Sequence, residues 1–153
     1  MALYELENIQ HHYNGTPVLS IDRFRIAENS GTGLCGPNGS GKTTLLRLLG
    51  LIAPPAAGAI YFRGHRARPY EGRIRDKVAL LPQQSFLLKR SVYQNVAYGL
   101  RIRKNTDNES GRVAHALSLV GLNPEKFTGR PWYALSGGEA RRVAMAARLA
   151  LRP

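Results

Sequence analysis

The chain has 153 residues, enough for a domain with a real core, and its 22 Lys and Arg against 10 Asp and Glu give a formal net charge of +12. A single cysteine, Cys35, excludes an internal disulfide and a cysteine-based metal cluster and fits a reducing compartment. Glu5 and Glu7 interrupt any cationic-then-apolar leader, and the longest apolar stretch is broken by Gly50, Pro54, Pro55 and Gly58, so neither a signal peptide nor a membrane span is expected.

Residues 3–9 alternate, with Leu3, Glu5 and Glu7 against Tyr4, Leu6 and Ile9. Asn14-Gly15 then reads as a turn before the apolar runs at 18–21 and 24–26, which predicts an antiparallel β-region. Next comes Gly36-Pro37-Asn38-Gly39-Ser40-Gly41-Lys42-Thr43, a complete G-x-x-x-x-G-K-[ST] octet between a strand-like Gly33-Leu34-Cys35 and a helix-like Thr44-to-Leu49 segment. Phosphates need closely spaced backbone N–H donors, and glycines let a chain wrap an anion because they tolerate positive φ. The following helix points its positive end at the same charge. The octet therefore predicts a nucleoside triphosphate site, with Lys42 on the β- and γ-phosphates, the Thr43 hydroxyl on Mg²⁺, and Cys35 a buried strand-end residue.

Beyond Pro54-Pro55, the runs 59–62 and 78–81 read as short apolar strands. Basic residues crowd between Arg63 and Lys104 against Glu71 and Asp76, so nucleic acid or an anionic membrane must be weighed. Tyr70, Phe86, Tyr93 and Tyr98 are not interleaved with them in a nucleic-acid pattern, so a solvated face and no specific nucleic-acid partner are expected. Val92, Val96 and Leu100 fall four apart, and Val113, Ala116, Leu117 and Val120 repeat a helical stripe closed by Gly121, with 104–110 a surface loop between them. Leu135-Ser136-Gly137-Gly138-Glu139 then opens a helix with Val143, Ala147 and Leu151 on one side. Its Ser136 and Glu139 have the spacing of a capping box.

With the phosphate loop upstream, that pentad resembles the L-S-G-G-Q signature of ATP-binding-cassette (ABC) ATPases, and the resemblance spans essentially the whole chain. It implies an α/β fold of the ABC P-loop NTPase type: an antiparallel β-region, a partial RecA-like core and a helical signature subdomain. One nucleotide-binding domain, 1–153, is expected, divided near residues 83 and 84 and incomplete at its C-terminus. By resemblance, Tyr13 matches the aromatic that stacks on adenine, and Gly36, Pro37, Asn38, Gly39, Ser40, Gly41, Lys42, Thr43 and Thr44 hold ATP. Gln83, with Gln84 as rival, matches the glutamine that senses the γ-phosphate and Mg²⁺, and Ser91-to-Val96 looks like the segment facing a transmembrane partner. Two such domains meet head to tail in this family, so Leu135, Ser136, Gly137, Gly138 and Glu139 are expected against the ATP of a second copy, with Ser136 and Gly138 donating to its γ-phosphate.

The sequence also departs from the family pattern. Glu139 replaces the commoner glutamine, Arg142 keeps one family arginine, and Ala147 takes the place of a second, with Arg148 one residue on. His11, His12, His65 and His115 do not match the switch histidine and are expected as surface or packing residues. That histidine, the Walker B aspartate and the catalytic glutamate are expected beyond Pro153, so the fragment alone is expected to be inactive. The intact protein is expected to be the ATPase subunit of an importer, cytoplasmic and peripheral to the inner face of the membrane, with a separate permease chain. Ser91-to-Arg101 and Trp132-to-Glu139 look similar to importers of inorganic oxyanions, tungstate or phosphate. A cassette ATPase acting on nucleic acid or ribosomes, and a module that binds nucleotide without turnover, are the rival readings. Against the first, the stretch between Lys42 and Ser136 has no heptad coiled coil.

Overall fold

The computed structural model describes residues 1–84 and 86–153, the side chains of Arg73 and Arg75 excepted. It divides into two compact units, Met1–Leu80 and Leu81–Pro153.

The first unit is built on a four-stranded antiparallel sheet of order β2-β1-β3-β4, from β1 (Ala2–Tyr13), β2 (Thr16–Ala27), β3 (Ala57–Phe62) and β4 (His65–Ala67). Asn14 and Gly15 join β1 to β2 with φ of 50° and 79°. Two successive positive φ values make the primed turn whose twist matches a hairpin. Along β1 the buried residues are Tyr4, Leu6 and then Ile9, so the alternation changes phase. The cause is a bulge: Glu7 pairs Ala59 but Gln10 pairs Ala57, and Asn8 between them has φ 49°. An extra residue on one strand shifts its side chains to the other face. Gly58 makes the bulge possible, since a Cβ there would lie 2.3 Å from the Asn8 carbonyl oxygen.

Helix α1 (Lys42–Leu49) lays Leu45 and Leu48 into a core with Leu6, Ile9, Ile60 and Phe62. Each such side chain is worth about 1.5–3 kcal/mol when fully buried. The Tyr4 hydroxyl donates to the Leu49 carbonyl at 2.8 Å and ties β1 to the end of α1; burial pushes this phenol up to about 12. A short helix α2 (Gly72–Arg75) follows β4.

Two expected strands, Gly33–Cys35 and 78–81, are irregular, and Cys35 is exposed rather than buried. A strand exists through its ladder, and no strand among the described residues pairs with either segment. Their apolar character specified burial alone, and Leu34 and Val78 do pack partly buried against the first core.

The second unit is helical, with α3 (Val92–Ile102), α4 (Glu109–Leu119), α5 (Pro124–Phe127) and α6 (Gly137–Leu149), and a 3₁₀ turn at Trp132–Ala134. Val92, Val96 and Leu100 of α3, Val113 and Leu117 of α4, and Val143 and Ala146 of α6 form its core. Ser91 starts α3 with a full capping box to Gln94. Helix α4 starts at Glu109, inside the expected 104–110 loop, because Asn108 turns the chain at φ 49°. Glu109 also accepts from Arg101 at 2.7 and 2.9 Å and from the Tyr93 hydroxyl at 2.9 Å, which anchors this helix start on α3. Helix α6 stops at Leu149, so Leu151 lies past it and packs against α3, where a Cβ on Gly99 would meet its Cδ2 at 2.9 Å. Arg112 Nη2 donates to the Ala150 carbonyl at 2.8 Å and closes the C-terminal end of α6.

Candidate functional site

The octet forms a loop that ends on the first turn of α1. Gly36, Gly39 and Gly41 have φ of 154°, 86° and 82°, and Ser40 N–H donates to the Pro37 carbonyl at 3.3 Å. A Cβ on Gly41 would lie 3.0 Å from the Val18 carbonyl oxygen and 3.1 Å from Leu19 Cδ1, so only glycine fits between the loop and the hairpin. Lys42 Nζ donates to the carbonyls of Gly36 at 2.8 Å and Pro37 at 2.6 Å and to Ser40 Oγ at 3.3 Å. The ammonium is thus held over the loop that carries it.

Gly41 is the N-cap of α1, offers no side chain to the helix, and no acidic residue follows in the first turn. The N–H groups of Lys42, Thr43 and Thr44 have no acceptor within the helix. Together with the helix dipole they present concentrated positive potential to an anion. Thr43 is exposed on this turn, while Thr44 is only 7% exposed and belongs to the packing beneath it.

Tyr13 is the last residue of β1, 44% exposed, opposite Thr16. The Asn8 bulge decides its face, since 9, 11 and 13 now continue the side of the sheet that packs on α1. A second bulge lies on β2: His11 pairs Leu19 but His12 pairs Pro17, and the extra residue is Val18. Its carbonyl is the one that abuts Gly41, so the hairpin carrying Tyr13 is packed directly on the phosphate loop.

The other expected site residues lie in the second unit. Gln83 and Gln84 sit in an irregular exposed stretch beside Ser85, which is outside the described residues. Ser136 is the N-cap of α6: its hydroxyl accepts from Glu139 N–H at 3.3 Å, and Glu139 Oε2 accepts from Ser136 N–H at 2.8 Å. Gly137 and Gly138 occupy the first two helical positions, where N–H groups have no acceptor within the helix. Arg130 Nη1 stands 3.6 Å from Glu139 Oε1, and its guanidinium stacks 4.2 Å above Phe127. The bonds from Ser136 hold the Glu139 carboxyl below its usual range, with Arg130 and Arg142 adding attraction. Leu135 packs partly buried against the second core.

Two residues of consequence were not singled out from the sequence. Asn95, 7% exposed, accepts from Leu88 N–H at 2.7 Å and donates to the carbonyls of Leu88, Arg90 and Ser91 at 3.1, 3.3 and 3.0 Å. It fixes the loop before α3; the Ser91-x-x-Gln94 spacing located the helix start, but no sequence signal gave this amide its partners. His11 stands edge-to-face with Tyr13 at 5.0 Å and 82°, and its position two residues before Tyr13 was the available clue.

Among the described residues no helix is long and apolar enough to cross a membrane, and no group of His, Cys, Asp and Glu is arranged to hold a metal ion. A cation bound here would therefore take its oxygens from hydroxyl and phosphate groups, as Mg²⁺ does at nucleotide sites.

Residues 19–153 match the family model described as ABC transporter. The tungstate uptake system ATP-binding protein TupC of Peptoclostridium acidaminophilum is 35% identical over 148 residues, covering 97% of this chain and 67% of that protein. The spermidine/putrescine import ATP-binding protein PotA of Clostridium novyi is 35% identical over 158 residues, covering 99% of this chain and 43% of that protein. This chain thus spans less than half the length of the polyamine relative. In structure, the dimeric post-hydrolysis ATP-binding cassette MJ0796, bound to ADP and Pi, superposes with a TM-score of 0.86 at 26% identity, over 98% of this chain and 70% of that one. Phosphate loop, open helix start, signature pentad and family model agree, and the chain belongs to the ABC transporter family as an ATPase domain.

Proposed function

We propose that this domain binds ATP through its phosphate loop and, in the intact protein, couples ATP hydrolysis to solute import through a separate membrane permease. The observation that carries the reading is the loop itself: positive-φ glycines, an uncapped α1 and a lysine ammonium converge on one exposed spot. Phosphate oxygens take over the acceptors now supplied to Lys42 by Gly36, Pro37 and Ser40, and the N–H groups of 42–44 complete the cradle. Tyr13 offers its exposed ring to the adenine. Thr43, exposed on the first turn, would hold Mg²⁺, which supplies charge neutralisation on the transferred phosphoryl group.

The signature pentad is assigned to the ATP of a second copy, as the dimeric cassette with bound ADP and Pi suggests. Gly137 and Gly138 retain the free donors for that role, and permease docking would hold the domain at the inner face of the membrane. For the solute we put forward an inorganic oxyanion, on the likeness to the tungstate protein, of which this chain covers the larger share. Uptake of tungstate but not of putrescine should fall in cells lacking the gene; the reverse would assign a polyamine.

Residues 1–153 are proposed to hold nucleotide without sustained turnover, since no expected water-activating carboxylate matches among them. Lys42→Ala should weaken ATP binding by roughly 1.5–3 kcal/mol, the range of a charged hydrogen bond, in a calorimetric titration. Unchanged affinity would remove the loop from the nucleotide site. Steady ATP turnover by purified 1–153, absent in the Lys42 variant, would show that a catalytic base lies within these residues.

A further inference from the structure

We propose that His11 is a positioning residue for the nucleobase: its ring braces Tyr13 so that the phenol presents one face to the base. The inference rests on the reading of Tyr13 as the base-stacking residue. Tyr13 sits at the end of a hairpin, 44% exposed, with the small Thr16 opposite and the Asn14-Gly15 turn beyond it. Nothing in that surrounding fixes the rotation of its ring. His11 does so from two residues back on the same face of β1, with centroids 5.0 Å apart and planes at 82°. This is the favoured edge-to-face geometry of an aromatic pair, in which the positive edge of one ring meets the negative face of the other.

The imidazole occupies this place against an energetic disadvantage. His11 Nδ1 is buried and has no hydrogen-bond partner among the described residues. Buried polar nitrogens are nearly always paired, so an unpaired one needs an explanation other than solvation of the nitrogen. The ring's quadrupole supplies it, because an aliphatic side chain would fill the same volume without orienting Tyr13. His11 is itself anchored: it pairs across the sheet with Leu19, whose Cδ1 lies against Gly41 of the phosphate loop. Leu19, His11 and Tyr13 thus connect the loop that takes the phosphates to the ring that takes the base, and set the distance between them.

The test compares ATP with inorganic tripolyphosphate, which has the phosphates and no base, by calorimetric titration of the 153-residue chain in Mg²⁺. His11→Leu keeps volume and loses the aromatic edge; His11→Phe keeps the edge and removes the unpaired nitrogen. His11→Leu should weaken ATP binding about two- to tenfold, the worth of an edge-to-face pair, and leave tripolyphosphate unchanged. His11→Phe should restore the parent affinity. In a Tyr13→Ala background His11→Leu should add nothing. Equal affinities for the Leu and Phe variants, or a loss shared by ATP and tripolyphosphate, would reduce His11 to packing and overturn the proposal. If Tyr13→Ala itself leaves ATP binding intact, the base-stacking reading fails; if Tyr13→Ala weakens ATP and His11→Leu does not, only the brace fails.

Discussion

Helix α1 begins at a glycine with φ 82° that has no side chain to give its free N–H groups, whereas α6 begins at Ser136, whose hydroxyl and Glu139 partner satisfy one another's backbone donors. Both starts carry sequence motifs of the same family, and both expose helix-terminal donors, yet they are stabilised in opposite ways. At α1 the surrounding fold holds the terminus open: Val18 and Leu19 of β2 press on Gly41, and Lys42 is kept over the loop by carbonyl oxygens. At α6 the terminus holds itself, through side chains three residues apart. The difference teaches where each should be sensitive. An open start depends on distant packing and on the absence of a Cβ, while a self-capped start depends on two local side chains.

The largest effect should come from adding one methyl group to the open start. Gly41→Ala imposes a positive φ on an L side chain, at about 1–3 kcal/mol of backbone strain, and drives a Cβ to 3.0 Å from the Val18 carbonyl. Urea unfolding should show that loss, and the ATP affinity of the folded fraction should fall with it; an unchanged midpoint would mean that the hairpin does not hold the loop. At the capped start, Ser136→Ala should cost about 1 kcal/mol, the usual worth of a side-chain N-cap, with no effect on binding of ATP by an isolated domain. A fall in that affinity would break the division of labour between the two starts.

The smallest effect is pH-dependent. The Glu139 carboxyl is held below its ordinary value by the Ser136 bonds, so its contribution is fully present above the usual carboxylate value of about 4.3 and is lost as pH falls through the depressed one. Glu139→Gln keeps an acceptor for the capping box but does not titrate there. The stability difference between parent and Glu139→Gln should therefore shrink on acidification below the ordinary carboxylate range. A difference that stays constant from neutral to acid pH would show that the charge of Glu139 contributes nothing.

Much of this was legible in the sequence, for identifiable reasons. The phosphate-loop octet and the Ser136-to-Glu139 spacing are local, and a local hydrogen-bond pattern needs only the right residues in the right order. The strands β1 and β2 declared themselves by alternation and by Asn14-Gly15. The change of phase at Asn8 was visible as Tyr4, Leu6 and then Ile9, but only Gly58, fifty residues away in sequence on the neighbouring strand, shows it to be a bulge. Gly33–Cys35 and 78–81 misled because an apolar run specifies burial and cannot specify a pairing partner. Arg112 reaching the Ala150 carbonyl, and His11 against Tyr13, are products of tertiary placement that no spacing rule encodes.

The amide of Asn95 has a consequence for chemical ageing. Its two hydrogens are shared among the carbonyls of Leu88, Arg90 and Ser91, and its oxygen takes the Leu88 N–H. Aspartate has nearly the same outline, so deamidation would leave the shape of the second core intact while setting a carboxylate against three carbonyl oxygens. The loop before α3 is therefore latched by the position of two hydrogen atoms, and slow hydrolysis of a single nitrogen would release it without opening a cavity.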